Sequence, residues 1–216
     1  ENKNAYVVTP NVDHIVQLET NKELQDVYAN ASLILTDGKP LPWIAKWYGT
    51  PIKEKISGSD LFPLLCDMAA KKGYRMYFLG AAEGVAAKAA ENLVKRYNGL
   101  QVVGTYSPPY GFEKNPEEMD KIKGMIKEAN PHILIVGLGC PKQEKFMYHH
   151  CEELGVPISF GLGASFDFEA GNIKRAPRWM ADHGLEWLFR ITQDPKRMAK
   201  RYLVDDRKIL GLAIKY

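Results

Sequence analysis

The chain has 216 residues, 45% hydrophobic and 25% charged, a composition typical of a folded globular protein and unlike that of a disordered or fibrous chain. No stretch approaches the roughly 18 consecutive apolar residues of a membrane-spanning helix, and the opening ENKNAYVV does not resemble a signal peptide. Because Cys66, Cys140 and Cys151 are odd in number and widely spaced, we expect reduced thiols rather than a disulfide framework or a zinc knuckle.

The net charge of +3 is unevenly distributed along the chain. From Lys174 onward, eleven Lys and Arg residues accompany five acids, a net charge of +6, so the preceding residues carry −3. A basic tail on a mildly acidic body indicates an anionic partner for the tail. Nucleic acid is a poor candidate because the body is itself acidic and no recognition motif is present.

Strand-like apolar runs alternate with helical patterns over the first three quarters of the chain. The predicted strands are AYVVT (5–9), SLILT (32–36), YRMYFLG (74–80), LQVVGTY (100–106), HILIVGLG (132–139) and PISFGLG (157–163). The predicted helices span 12–31, 58–73, 83–99, 115–131 and 141–155. This alternation predicts an α/β fold, a Rossmann-like, mostly parallel sheet flanked by helices, and the continuous apolar run HILIVGLG is typical of a strand buried on both faces.

The pattern changes after Gly163. The segment SFDFEAGNIKRAP (165–177) reads as a loop, and from Arg178 the chain becomes helix-like, with aromatic residues among arginines and lysines. We therefore predict an α/β catalytic body over residues 1–170 and a basic, aromatic helical appendage over 171–216. Such an appendage is typical of a membrane-surface element, and a simple solvated helical face is the alternative.

Polar residues and glycines follow the predicted strands, where ligands bind in open parallel sheets. Asp37 follows the second strand within SLILTDGKPLPW, although Asp-Gly is also a common way to form a turn. The run GLGCPKQE (137–144) combines two glycines with a proline predicted at the first position of a helix, which favours ligand contact. GAAEG (80–84) lacks the full G-x-G-x-x-G spacing and is equally consistent with a plain turn.

Metal and thiol chemistry receive weak support. No histidine is placed by sequence to activate Cys140, so a small buried residue is the better interpretation. His149 and His150 point about 100° apart on a helix and do not converge on an ion. The acidic pair in Asp-Phe-Glu (167–169) is a weak signal, and a metal-free site, without a cofactor, is favoured.

Four segments together resemble the TagA/WecG-type glycosyltransferases, which build bacterial surface polymers on undecaprenyl-diphosphate lipids. They are TPNVDHIV (9–16), LTDGKPLPW (35–43), GLGCPKQEKF (137–146) and ASFDFEAGNIKRAPRWMADHGLEWLFR (164–190). The resemblance implies inverting transfer of N-acetylmannosamine from a UDP donor to the 4-hydroxyl of N-acetylglucosamine on the diphosphate lipid, an early step of teichoic acid linkage-unit synthesis. It also implies a metal-independent enzyme held peripherally at the cytoplasmic face of the membrane.

The resemblance assigns a role to individual residues. Asp37 becomes the general base, and the tail arginines close over the departing diphosphate. The predicted substrate-binding residues are Thr9, Asn11, Lys39, Lys55, Ser59, Asp60, Gly80, Gly137, Gly139, Pro141, Gln143, Asp167, Arg178, Arg190 and Arg197. Lys55 and Phe146 stand where the family usually has Arg and Trp, and we expect a strand and a helix to precede the T-P-N motif.

Other functions stay open at this point. UDP-N-acetylmannosaminuronic acid is an alternative donor for another surface polysaccharide. A nicotinamide-dependent oxidoreductase is less consistent with the chain, since a full dinucleotide fingerprint is absent. A non-enzymatic membrane-surface adaptor would have Asp37 buried with no cleft beside it. The exposed apolar surface of the appendage also makes self-association a prediction.

Overall fold

The computed structural model describes residues 4–177, 179–180, 183–195, 198, 202 and 208–215. Six parallel strands form one sheet in the order β2-β1-β6-β5-β3-β4. The strands are β1 (Ala5–Val8), β2 (Leu33–Ile34), β3 (Arg75–Gly80), β4 (Gln101–Tyr106), β5 (Ile133–Gly137) and β6 (Ile158–Gly161). The predicted α/β class and parallel sheet are therefore confirmed, and every residue of β5 is buried, as its apolar run predicts.

Helices cover both faces of the sheet. They are α1 (Val12–Leu18), α2 (Lys22–Ala29), α3 (Pro40–Trp47), α4 (Gly58–Lys72), α5 (Val85–Arg96), α6 (Pro116–Ala129), α7 (Lys142–Leu154), α8 (Ser165–Ala170), α9 (Glu186–Gln193) and α10 (Lys208–Lys215). No helix among the described residues is long and apolar enough to cross a membrane. None of the three cysteines forms a disulfide.

Alternating side chains of the central strands divide the core into two layers. Phe78 lies on one face, where its ring packs against Phe62 of α4 and Phe166 of α8 at centroid distances of 5.2 and 5.4 Å. Leu134 and Val136 lie on the other face with buried residues of α2, α6 and α7. A strand whose residues alternate between two helical layers must be apolar throughout, which explains the uninterrupted run in β5.

Helix ends explain where the strands begin. Helices α4, α6 and α7 end at Gly73, Asn130 and Gly155, each in the left-handed conformation with φ of 69°, 43° and 67°. This conformation reverses the chain after a helix. It returns the backbone to the amino ends of β3, β5 and β6.

Three local predictions are wrong. The pattern over 12–31 is two helices, because Asn21 accepts the backbone N–H of Leu24 at 3.0 Å and so begins α2. The predicted loop contains helix α8, which ends at Gly171. The second strand is only two residues long. The prolines beyond Asp37 begin helix α3, because the backbone N–H groups of the first helical turn make no bonds within the helix and proline lacks only that group.

Candidate active site

Two cavities open at the carboxyl ends of the strands. The smaller, of about 390 Å³, lies at the ends of β1, β2, β5 and β6, and α9 contributes to its wall. The larger, of about 880 Å³, lies at the ends of β3, β4 and β5. Ala81 and Gly137 line both, so the cavities meet at the centre of the sheet edge.

The smaller cavity brings together most of the predicted site residues. Its lining includes Thr9, Asn11, Asp37, Ser59, Gly137, Gly139, Gln143, Asp167 and Arg190. Lys39, Lys55, Asp60, Gly80 and Pro141 lie outside its lining, and Arg178 and Arg197 fall outside the described residues. The substrate-contact roles of all of these residues stay predictions.

Asp37 lines the smaller cavity, and an adaptor with a vestigial pocket would lack such a cavity. Its backbone N–H donates to the carbonyl of Pro10 at 2.8 Å, which fixes the Asp-Gly turn against the end of β1. Burial raises the pKa of the Asp37 carboxyl, and the cations of Arg190 and Lys55 only partly offset that increase. A carboxylate with a raised pKa is a stronger base than an ordinary aspartate.

Arg190 is the described cation of the appendage beside Asp37. Its guanidinium donates to Glu186 at 2.7 Å and lies 5.4 Å from the centre of the Phe168 ring. These contacts hold the charge at the cavity wall, where it acts on Asp37. Lys55, the other cation that acts on Asp37, lies 3.8 Å from Asp60.

A buried pair lies beneath Asn11 and Gln143. Glu144 is fully buried, and its Oε1 lies 3.2 Å from His14 Nε2 and accepts Gln143 Nε2 at 2.7 Å. His14 Nδ1 is 3.0 Å from the Oδ1 of Asn11, which also accepts the N–H of Asp13 and caps α1. One carboxylate oxygen of Glu144 therefore holds the side chains of His14 and Gln143, both of which line the cavity.

This pair corrects the expectation for Cys140. The thiol is only partly buried, lines the cavity, and belongs to a group with His14 and Glu144 whose donor atoms lie within 4.8 Å of one another. Sequence reasoning missed the histidine because it precedes Cys140 by 126 positions. Thiolate, imidazole and carboxylate are a donor set that zinc accepts, and within the described part of the chain this is the group that could hold a metal.

The remaining predicted residues have structural partners. Thr9 donates its hydroxyl to the Gly161 carbonyl at 2.9 Å. Asp60 accepts from Ser57 and from Arg175, a residue that the sequence did not single out. Pro141 precedes the first residue of α7 rather than starting it. The two carboxylates of Asp-Phe-Glu (167–169) have different surroundings: Asp167 lines the smaller cavity, whereas Glu169 forms an ion pair with Arg96 at 2.7 Å.

Gly80 and Gly137 explain how the two cavities meet. A Cβ on Gly80 would lie 2.4 Å from the carbonyl oxygen of Gly137, and the φ of Gly80 is 113°. Only glycine satisfies both the close approach and the backbone conformation. The close contact of Gly80 and Gly137 at the ends of β3 and β5, here called the ridge, therefore lies where the two cavities meet.

Comparison with known proteins places the chain in a family. The profile of the Glycosyl transferase WecG/TagA/CpsF family matches residues 1–216. The chain belongs to this family. The WecG/TagA/CpsF proteins are glycosyltransferases, so the chain is an enzyme of this class, and the resemblance drawn from its four motifs is confirmed.

Two curated relatives carry the same name, N-acetylglucosaminyldiphosphoundecaprenol N-acetyl-beta-D-mannosaminyltransferase. The protein of Bacillus spizizenii is 35% identical over 197 residues, covering 91% of this chain and 74% of the relative. That of Bacillus subtilis strain 168 is 31% identical over 193 residues, covering 89% and 73%. Among WecG/TagA/CpsF proteins, the chain is thus similar to transferases that act on a lipid-linked acceptor.

Proposed function

We propose that the chain transfers N-acetylmannosamine from UDP-N-acetylmannosamine to the 4-hydroxyl of N-acetylglucosamine on undecaprenyl diphosphate, with inversion, for teichoic acid linkage-unit synthesis. The observation that carries this proposal is the position of Asp37. It is a carboxylate of raised pKa that lines an open cavity, in a family of glycosyltransferases. Inverting transfer needs one such base beside the acceptor hydroxyl.

The adjoining cavities suggest how a nucleotide-sugar lies in the protein. The larger is lined by Tyr106 and Tyr110 and by the turn that begins α5, which suits a nucleoside with a phosphate near backbone N–H groups. The sugar then crosses the ridge at Gly137 toward Asp37. Gly139, Gln143 and Asp167 line the cavity on that side and are the proposed sugar contacts.

The proposed reaction is a direct displacement. Asp37 accepts the proton of the acceptor hydroxyl while the oxygen of that hydroxyl bonds to the anomeric carbon. The bond from the anomeric carbon to UDP breaks, and its electron pair stays on the diphosphate. Arg190 and Lys55, with Arg178 and Arg197 of the appendage, are proposed to offset that charge. Because these cations can replace a divalent ion, we propose transfer without a metal cofactor.

The lipid-linked acceptor also bears on where the enzyme works. We expect the basic appendage to hold the protein peripherally on the anionic inner face of the membrane, since each basic residue near such a surface is worth about 1 kcal/mol. Self-association through the apolar surface of the appendage remains a prediction.

A transfer assay tests the proposal. UDP release is measured with UDP-N-acetylmannosamine, its uronic acid counterpart and UDP-N-acetylglucosamine, each with a short-chain N-acetylglucosaminyl-diphosphate lipid. We expect release with the first donor, retained in EDTA, and a product of inverted anomeric configuration by NMR. Release only with the uronic acid would transfer the proposal to that donor, and release with none of them would refute it.

A further inference from the structure

A basic segment interrupts the acidic body next to Asp37. Residues 39–55, here called the α3 segment, contain Lys39, Lys46, Lys53 and Lys55 against the single acid Glu54. The other residues up to 173 contain fourteen basic and twenty acidic side chains. The α3 segment is therefore a local positive region on a protein body that is otherwise negative.

The same segment exposes large aromatic side chains. Trp43 is 60% exposed and Trp47 is 73% exposed, while Leu41 on the same helix is buried. Positions 43, 46 and 47 share one helical face, so Lys46 lies beside the two indoles. Tyr48 extends this surface, and its ring stacks on the Trp47 ring with 6.3 Å between the ring centres. Contiguous aromatic surface of this kind marks an interaction site.

The position of this surface connects it to the cavity and to the appendage. Helix α3 begins three residues after Asp37. A Cβ added to Gly184 of the appendage would lie 3.1 Å from the Trp43 ring and 3.4 Å from Lys39 Cβ. The α3 segment and the appendage around Gly184 thus form one continuous surface near the cavity that Asp37 lines.

We propose that the exposed face of α3 is a membrane contact of the body itself, with Trp47 and Trp43 at the headgroup level of an anionic bilayer and Lys46 and Lys53 against its anionic lipids. Indole rings favour this interface because they combine an apolar body with one N–H donor. Basic residues beside them supply the charge complementarity. This inference rests on the proposed function, because it brings the cavity that Asp37 lines close to the layer that holds a lipid-linked acceptor.

Vesicle binding by the whole chain tests the α3 contact. Co-sedimentation is measured with vesicles of phosphatidylcholine alone and with 30% phosphatidylglycerol, a composition chosen to give about the charge of an anionic leaflet. The variants are Trp47→Ala and Lys46→Glu, and circular dichroism verifies their folding. Val94→Ser is the matched control, because Val94 is 43% exposed on α5 at the opposite edge of the sheet.

We expect Trp47→Ala to weaken binding to the anionic vesicles about tenfold through lost apolar contact. Lys46→Glu changes the charge by two and should weaken it about tenfold or more, with no effect on phosphatidylcholine vesicles. Val94→Ser should bind as the wild type does. Wild-type binding by both α3 variants would overturn the proposal, as would a change of oligomeric state by Trp47→Ala with unchanged vesicle binding, since that result assigns α3 to a protein interface.

Transfer assays separate this inference from the proposed function. Trp47→Ala should transfer to a short-chain soluble acceptor at the wild-type rate and lose transfer to a long-chain acceptor embedded in vesicles. If no protein, wild type included, transfers to either acceptor, the proposed function fails while the vesicle measurements still decide the α3 contact. Equal loss with both acceptors would place Trp47 in the reaction itself and overturn the docking role.

Discussion

The two ends of the cleft differ in chemistry although the same sheet edge forms both. The end at β1 and β2, here called the charged end, is lined by Asp37 and Arg190, and by His14, which contacts the buried Glu144. The end at β3 and β4 is larger and consists mainly of small residues and aromatic rings, and its Lys142 already contacts Glu113 at 2.6 Å. We interpret the difference as a division between the reacting groups at one end and nucleotide binding at the other.

Removing the base should break the charged end alone. Asp37→Asn is expected to lower turnover by about a hundred- to ten-thousand-fold, the usual contribution of a general base, with UDP affinity near wild type. UDP release and UDP titration measure the two effects. Asp67→Asn is the control, since Asp67 is an exposed partner of Lys71 on α4. Retention of more than about a tenth of the rate by Asp37→Asn would contradict the assigned role.

The ridge between the two ends tests whether they must touch. Gly80→Ala places a methyl group against the Gly137 carbonyl at a strained φ, so we expect a loss of about 2–4 kcal/mol in the free energy of unfolding. Urea denaturation measures it. Gly124→Ala on α6 meets no atom within 4 Å and should instead stabilise by about 0.5–1 kcal/mol. A harmless Gly80→Ala would show that the ridge tolerates a side chain.

Substitutions at the end of the cleft formed by β3 and β4 should change the affinity for UDP rather than the rate of transfer. Tyr110 is fully exposed, with the Lys142 ammonium 4.8 Å from its ring centre. If a base stacks there, Tyr110→Ala should raise the dissociation constant of UDP about tenfold and leave the rate at saturating donor unchanged. Tyr74→Ala is the control, because Tyr74 precedes the amino end of β3, whereas the cavity lies at the carboxyl ends of the strands. Unchanged UDP affinity would remove the nucleotide from the larger cavity.

Two carboxylates near the charged end should respond oppositely to pH. The pKa of Asp37 is raised by burial, so its ionised form destabilises the fold. Asp37→Asn should therefore raise the melting temperature at neutral pH, and the gain should disappear as pH falls below the unfolded value of about 3.9. Thermal unfolding between pH 3 and 8 measures this, and a gain that grows toward acidic pH would contradict it.

Asp60 provides the opposite case. Burial alone would raise its pKa, but hydrogen bonds from Ser57 and Arg175 lower it below the ordinary value. Its ionised form therefore stabilises the fold above the unfolded pKa, and this stability is lost as pH falls through the folded pKa. Asp60→Asn should lower the melting temperature at neutral pH and match the wild type under strongly acidic conditions. An unchanged melting temperature of Asp60→Asn at pH 7 would show that these hydrogen bonds contribute nothing to stability.

Local patterns predicted the sheet better than the site. The runs of β3, β4 and β5 are long and apolar, so their class and approximate bounds follow from periodicity. Because parallel strands end at one edge, the same reasoning placed Asp37, Gly137 and Gln143 near a common cleft. Helix α3 was missed because Asp-Gly indicates a turn and the helix is short, although the prolines that follow are tolerated in the first turn of a helix.

Contacts between distant residues were not predictable from spacing. His14 and Glu144 are separated by 130 positions, and Arg175 and Asp60 by 115. Each pair depends on how α1, α4, α7 and the loop after α8 pack, which no local pattern encodes. One signal could have found the first pair. His14 lies in the first turn of the helix that follows β1, and Glu144 lies in the first turn of the helix that follows β5.

The left-handed turns at Gly73, Asn130 and Gly155 have a practical consequence. They lie at the amino ends of strands, on the side of the sheet opposite to the two cavities. A dye, an affinity handle or a surface tether attached at these turns would leave the cavities unobstructed. Orientation on a supported bilayer could then be read by distance from such a label to the lipid.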